Sequence, residues 1–350
     1  MSEHQHAVLK SSRRGLMRFA ALSGVVGLGA MSLGESAASE NESVFPAAFD
    51  YPEIKGPSLA LWGSSSIEGA RATEGVSAGF DARLHTLLHQ YLGVPVLAFG
   101  TGSETSSNIL ARRGVADFIT KVDFPGEMIP ASGSVNVTLS NSKISWNAAT
   151  YFPGFIQEIP GVLKAISGAE NTYSFTRVSE GSERYAPSNT SANLFFSYQE
   201  MISRSSYHLI QIGRNNILET QTTKDHTVAA FDMAAERTIV LGHYVIDGDS
   251  QGSERARAVA AYNDWGAQTY GQLFMNPQEY LRETTKETWL RYGDLAGSGV
   301  WNSNADQQDY EAGRPPRSLY AVDGVHLNGW GYLALARMIE AKIKELGWFS

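Results

Sequence analysis

The residues best placed to do chemistry stand near the C-terminus, in Asp323-Gly324-Val325-His326-Leu327-Asn328-Gly329. A carboxylate three residues before an imidazole can accept a hydrogen bond from it. That bond would fix the ring tautomer and stabilise the imidazolium formed when the ring takes a proton. Such a base needs a proton donor worth activating. Trp62-Gly63-Ser64-Ser65-Ser66-Ile67-Glu68-Gly69 offers a serine run between small residues, although taken alone such a run is a solvated turn. Two further segments suit developing negative charge. Gly100-Thr101-Gly102-Ser103-Glu104-Thr105-Ser106 is a Gly-containing loop entering a helix, whose exposed backbone N–H groups suit an oxyanion or a phosphate. Gly213-Arg214-Asn215-Asn216 carries a side-chain amide that can donate to an oxyanion, or is simply a turn. Nucleophile, base, orienting carboxylate and oxyanion donors are what ester hydrolysis requires.

The elements around these segments place them at strand ends. Apolar runs over 58–62, 94–99, 207–212 and 237–241 read as buried strands, and three of them stop at or near a glycine that opens a candidate loop. Helices are predicted over 77–91, where Phe80, Leu84, Leu87, Leu88 and Tyr91 share one face, and near 108–114, over 255–273 and over 331–346, with Asn328 as a cap. Strand, loop and helix in alternation predict an α/β fold with a parallel sheet. In such sheets ligands sit at the carboxyl ends of strands. The stretch 124–198 differs, being rich in Ser, Thr, Asn, Gly and Pro. Its period-two patterns at 135–139 and 173–176 predict an inserted β-rich subdomain rather than a disordered loop.

Taken in order, the four loops resemble the four sequence blocks of the SGNH (GDSL-like) hydrolases, over the chain from about Leu59 to the C-terminus without the β-rich insert. The resemblance implies a three-layer α/β/α, flavodoxin-like sandwich and a Ser-His-Asp triad of Ser65, His326 and Asp323. It places Gly69 at the family's trailing glycine and Ser64 where the family has an Asp outside the triad. It implies an oxyanion hole made by the N–H groups of Ser65 and Ser103, with Gly102 beside the latter, and by the Asn215 amide. Asn216 stands where the family has an Asp. A serine at 103 is strained if that loop needs a positive φ. No metal or organic cofactor is implied. Other histidines fit this scheme less well. His85 and His89 have metal-ligand spacing, but no Glu follows His85 as a metalloprotease motif requires. His208 and His243 fall in or near core strands. Asp247 and Asp249 lack a histidine at the right offset to replace Asp323.

The composition sets outer bounds. With 350 residues, 43% hydrophobic and 18% charged, the chain has ample core for one large domain or one domain with an insertion. Its formal charge of -8 argues against nucleic acid and anionic lipid as partners. The absence of cysteine excludes disulfides, thiolate metal sites and a Cys nucleophile. Residues 1–38 read as an export signal of the twin-arginine type, with Arg13-Arg14, a Gly-rich apolar stretch over 19–33 and small residues Ser36-Ala37-Ala38. That stretch is shorter than the ~20 residues a membrane span needs. Residues 39–56 read as an irregular leader before a hydrolase domain over 57–350. The expected place of action is outside the cytoplasmic membrane, and the expected substrate is a small-molecule or polysaccharide ester. A carbohydrate O-acyl esterase is favoured over a lipase because no long apolar lid segment is apparent. Trp146, Tyr151, Phe152 and Phe155 of the insert would form either a sugar-stacking wall or the insert's own core. An acyltransferase of the same fold and a non-catalytic secreted glycan-binding protein are the rival expectations. The sequence leaves the oligomeric state open.

Overall fold

The structure is a computed structural model. It describes residues 54, 56–141, 144, 151–166, 171–188, 190–283, 299, 301 and 303–349. The predicted export signal, Trp146 and most of the predicted leader lie outside the described residues. Two compact units are present. One comprises 57–109 with 205–350, and the other comprises 110–204. Among the described residues no helix is long and apolar enough to cross a membrane.

The first unit is α/β, built on a five-stranded sheet whose paired strands all run parallel. Its spatial order is Phe274–Met275, Thr238–Leu241, Tyr207–Ile210, Leu59–Gly63, Val96–Gly100. Numbered along the chain within this sheet the order is 2-1-3-4-5, the flavodoxin-like doubly wound arrangement. Alternate residues of a strand point to opposite faces. Leu59, Leu61, Leu209, Ile239 and Leu241 accordingly join one core cluster, together with Leu84, Leu87 and Leu88 of helix Leu84–Leu92 and Tyr332, Leu335, Ile339 and Ile343 of helix Gly329–Glu345. Ala60, Trp62, Ile210 and Val240 are as deeply buried but belong to the other face of the pleat. A strand apolar on both faces is the mark of a parallel sheet covered on both sides. Helices Thr220–Asp232 and Glu254–Tyr270 are joined by a 2.8 Å hydrogen bond between the Thr227 and Tyr262 hydroxyls.

Several element boundaries differ from the sequence expectation. The helix predicted over 77–91 is Leu84–Leu92. Gly79 takes a φ of 83°, and the Asp81 carboxylate accepts from the backbone N–H of Arg83 and the Thr86 hydroxyl, so the chain turns before the helix starts. Phe80, assigned to the buried face, is consequently exposed. The helix predicted over 255–273 ends at Tyr270, where Gly271 takes a positive φ and the chain turns into the short edge strand Phe274–Met275. Helix Thr220–Asp232 had no counterpart in the prediction. It buries Thr223, Thr227 and Ala230, so it shows no apolar stripe.

The second unit holds a closed, antiparallel six-stranded barrel. Around it run Leu194–Ser197, Thr120–Asp123, Ser134–Leu139, Thr172–Arg177, Ile159–Ala165 and Tyr151–Ile156, which pairs back with Leu194–Ser197. Both period-two signals are strands of this barrel. Phe152 is packed in its core with Val137, Leu139, Leu163 and Phe175, and Phe155 is also buried, so neither ring can stack on a sugar. Tyr151 is half-buried, and its hydroxyl accepts from Lys164 Nζ at 2.9 Å.

The cap foreseen at Asn328 is present and does more than cap. Its Oδ1 accepts from the N–H groups of Trp330 and Gly331 at 3.0 and 3.1 Å. Its Nδ2 donates to the carbonyls of Ser318 and Tyr320 at 2.8 and 3.0 Å. Asn328→Ala removes the cap and leaves two carbonyls short of a donor. We expect a loss of about 1–2 kcal/mol of folding stability, read from the urea unfolding midpoint.

Candidate active site

The four candidate loops all belong to the first unit. Three leave the carboxyl ends of adjacent parallel strands, and the fourth precedes the last helix. Leu59–Gly63 delivers the serine run, which turns at once into the short helix Ser65–Glu68. Ser65 is the first residue of that helix, so its N–H has no intrahelical acceptor. Gly100 ends the neighbouring strand and must be glycine. A Cβ there would lie 2.0 Å from the backbone nitrogen of Glu68. That contact sets how closely the second loop approaches the first. Thr101 donates its N–H to Gly63 O at 3.2 Å, which ties the two loops together.

The acid–base hairpin is fixed from several sides. Ala321 donates to His326 O, and Tyr320 bridges to Leu327. Asp247 donates its backbone N–H to Gly324 O at 2.7 Å. Arg214, buried beside the sheet, reaches across with its guanidinium. Nη1 donates to Tyr244 O at 2.6 Å and Nη2 to Val325 O at 3.0 Å, while the guanidinium lies over the Tyr244 ring at 3.9 Å. Arg214 was read from the sequence only as a neighbour of Asn215. An Arg inside a polar turn gives no sign of which distant carbonyls it will satisfy.

The structure brings Ser65, His326 and Asp323 together. Ser65 Oγ lies 2.8 Å from His326 Nε2, and His326 Nδ1 lies 2.9 Å from Asp323 Oδ2. A carboxylate facing Nδ1 requires the proton on that nitrogen. The lone pair of Nε2 is thereby aimed at the serine hydroxyl. Asp323 Oδ1 accepts from the backbone N–H groups of Val325 and His326 at 2.9 and 3.0 Å. Oδ2 takes a second donor, Arg71 Nε, at 3.1 Å. Arg71 also pairs with Glu74 at 3.0 Å, and Glu74 accepts from the Val322 N–H at 3.1 Å. Burial alone would raise the Asp323 carboxyl. The N–H and ring of His326 and the N–H of Val325 outweigh it and hold the carboxyl well below the usual carboxylate range.

The expected oxyanion donors are placed as follows. Ser103 sits in the left-handed region at a φ of 65°, the strained conformation that the sequence made conditional. A Cβ at Gly102 would come within 3.1 Å of Glu68 Oε2. Asn215 donates one amide hydrogen to Glu104 O at 2.8 Å, which fixes the amide against the second loop and leaves its other N–H available. Asn216 also ties those loops. Its Oδ1 accepts from Ser106 N at 3.0 Å, and its Nδ2 donates to Ser106 Oγ at 3.0 Å. His226 Nδ1 meets the same hydroxyl at 2.7 Å, and burial lowers its affinity for a proton. The sequence reading gave His226 no part. Ser64 is fully buried.

The other histidines are placed in structural surroundings. His89 Nδ1 meets Val94 O at 2.7 Å. His85 is pushed down to about 4, first by burial and then by the Arg83 charge. His208 Nδ1 accepts from Trp62 Nε1 at 3.3 Å. His243 Nε2 lies 3.0 Å from Ile212 O, and burial pushes that ring down to about 3. Among the described residues no group of three or more His, Cys, Asp or Glu is arranged to hold a metal ion.

No described protein-family profile matches the chain. An alignment of 198 residues that covers 52% of the chain is 26% identical to the tail spike protein of Salmonella phage epsilon15, and the chain spans 18% of that protein's length. A lipase/acylhydrolase from Enterococcus faecalis aligns over 83% of this chain and 96% of its own, with a TM-score of 0.40 and 13% identity. A member of the lipolytic G-D-S-L family from Veillonella parvula aligns over 83% and 97%, with a TM-score of 0.37 and 13% identity. A carbohydrate acetylesterase family member from Sinorhizobium meliloti aligns over 83% and 99%, with a TM-score of 0.37 and 10% identity.

The Asp323 carboxyl gives a pH signature in stability. A group depressed by folding contributes stability above its unfolded value, ordinarily 3.8, and loses that contribution as pH falls below it. We expect wild type to exceed Asp323→Asn in stability near neutrality. The gap should narrow on acidification from about pH 5 to about pH 3, measured by urea midpoints at each pH.

Proposed function

We propose that the chain is a serine esterase of the SGNH, or GDSL-like, type. The observation that carries this reading is the continuous relay from Ser65 Oγ through the His326 ring to Asp323, in the unit whose parallel sheet runs 2-1-3-4-5. In the proposed reaction His326 Nε2 takes the Ser65 proton as Oγ attacks the ester carbonyl. Asp323 holds the Nδ1 proton and stabilises the imidazolium. The N–H groups of Ser65 and Ser103 and the free amide hydrogen of Asn215 receive the oxyanion. Collapse of the tetrahedral species expels the alcohol, which takes the proton from His326. Water then attacks the acyl-enzyme with His326 again as base. These proposed steps call for no metal or organic cofactor.

The substrate we propose is a short-chain acyl ester, an O-acyl group on carbohydrate, met outside the cytoplasmic membrane. The export-type signal read over residues 1–38 supports the site of action, and the lack of a long apolar lid segment in the sequence favours this substrate over a lipase's. Phe152 and Phe155 are buried and lend no support to an aromatic wall, so the acyl and alcohol groups must be found by assay. Hydrolysis of acetyl, butyryl and octanoyl esters, beside acetylated xylan and peptidoglycan, resolves acyl length and alcohol together. Added acceptor sugar distinguishes water from a sugar hydroxyl as the final nucleophile.

Two variants test the mechanism. Ser65→Ala should lower kcat on a short-chain ester by about 10⁴-fold or more and abolish labelling by an organophosphonate, while the protein stays folded. Full turnover in that variant ends the esterase reading, and absence of labelling in wild type favours a non-catalytic binding protein. Asn215→Ala should lower kcat by about 10²–10³-fold, as expected for one lost oxyanion donor. A change confined to KM would remove Asn215 from that role.

A further inference from the structure

Among the described residues, Arg71 is the charged side chain that reaches the relay from outside it. Its Nε donates to Asp323 Oδ2, the same oxygen that faces His326 Nδ1, at 3.1 Å against 2.9 Å for the ring. Arg71 also holds a φ of 66°, a left-handed conformation that non-glycine residues rarely adopt. Strain of this kind persists where the surroundings hold the residue, and here they do. Glu74 takes Arg71 Nη1 at 3.0 Å and Val322 N–H at 3.1 Å, so one carboxylate grips both the arginine and the base of the acid–base hairpin. Gly329 donates its N–H to Glu74 O at 2.8 Å, which anchors the same turn to the start of the last helix.

We propose that Arg71, seated by Glu74, is a positioning residue of the triad that shares the Asp323 carboxylate with His326 and so sets how readily His326 takes the Ser65 proton. The inference rests on the esterase reading for its meaning, although its physical content concerns the imidazole alone. Asp323 accepts four donors, two on each oxygen, so the ring competes for electron density on Oδ2. The guanidinium charge also opposes a second positive charge on His326. Glu74 counters it. Among the described residues, the other charged and titratable groups around the hairpin include Arg214 at Val325 O, Asp247 at Gly324 O, Glu68 of the Ser65 helix, and the Tyr244, Tyr320 and Tyr332 hydroxyls. None of these donates to Asp323. The Arg71 side chain is 50% exposed, so its influence is screened and modest.

Opposite charges make opposite predictions. In Arg71→Gln the His326 ring should take its proton at a higher pH than in wild type, and the acid limb of kcat/KM should move with it. In Glu74→Gln, which keeps an acceptor for Val322, both should move lower. Both shifts should shrink toward wild type near 1 M salt, where the screening length falls to about 3 Å. The measurement is an NMR titration of the full-length chain with labelled histidine, run beside the pH profile of Ser65 phosphonylation. Because the imidazole is read without substrate, this result stands apart from the fate of the esterase proposal, which Ser65→Ala decides. A purely structural role would not give shifts of opposite sign. An Arg71→Gln ring that titrates at or below the wild-type value in low salt overturns the proposal. Should Arg71→Gln fail to fold, Arg71→Gly suits the positive φ and carries the same expectation.

Discussion

A hydrogen bond of 2.8 Å between Ser65 and His326 joins residues 261 positions apart, and much of the first unit serves to hold its two ends still. A proton can pass only between atoms kept at that distance, so neither loop can be left to its own flexibility. The serine end is fixed by a strand buried on both faces and by the close approach of the second loop at Gly100. The histidine end is a short hairpin, and short hairpins are mobile unless tied down. Here the ties come from Asn328 at the hairpin's own end, and from Arg214, Asp247 and the Arg71–Glu74 pair, which reach it from other parts of the chain.

Most of these ties satisfy backbone groups. Val325 O, Gly324 O, Tyr320 O and the N–H groups of Val322, Val325 and His326 all have partners. A loop beside a sheet cannot leave such groups unpaired without cost, so pairing them is also what makes it rigid. Asn216 and Ser106 show the same economy between the second and third loops. A side-chain amide there holds both the N–H and the hydroxyl of the residue that opens the next helix.

The sequence reveals four of the five strands of the sheet and the three residues of the relay for specific reasons. Strands such as Leu59–Gly63 are apolar on both faces and stop at glycine, so their identity and their ends are both written locally. Asp323 and His326 lie in one loop, and their spacing alone permits the bond they make. The supporting residues were not legible because their partners are remote. Arg71 meets Asp323 across 252 positions, Arg214 meets Val325 across 111, and His226 meets Ser106 across 120. Helix Thr220–Asp232 escaped because Thr223, Thr227 and Ala230, not an apolar stripe, make up its buried face. Phe80 was misplaced because periodicity cannot see that Asp81 has already turned the chain. Two of the barrel strands, at 135–139 and 173–176, are visible as alternation, but alternation does not disclose that they belong to six that close on one another.

Position 103 has a further implication. On the mechanism proposed above, what it contributes to the reaction is an amide hydrogen fixed by the path of the main chain, and its hydroxymethyl group takes no part. Chemistry and chemical choice are therefore separable at this residue. Descendants of such a protein could explore bulk, charge or hydrogen bonding there to favour new alcohols, provided the left-handed turn survived, while the bond-breaking apparatus stayed as inherited.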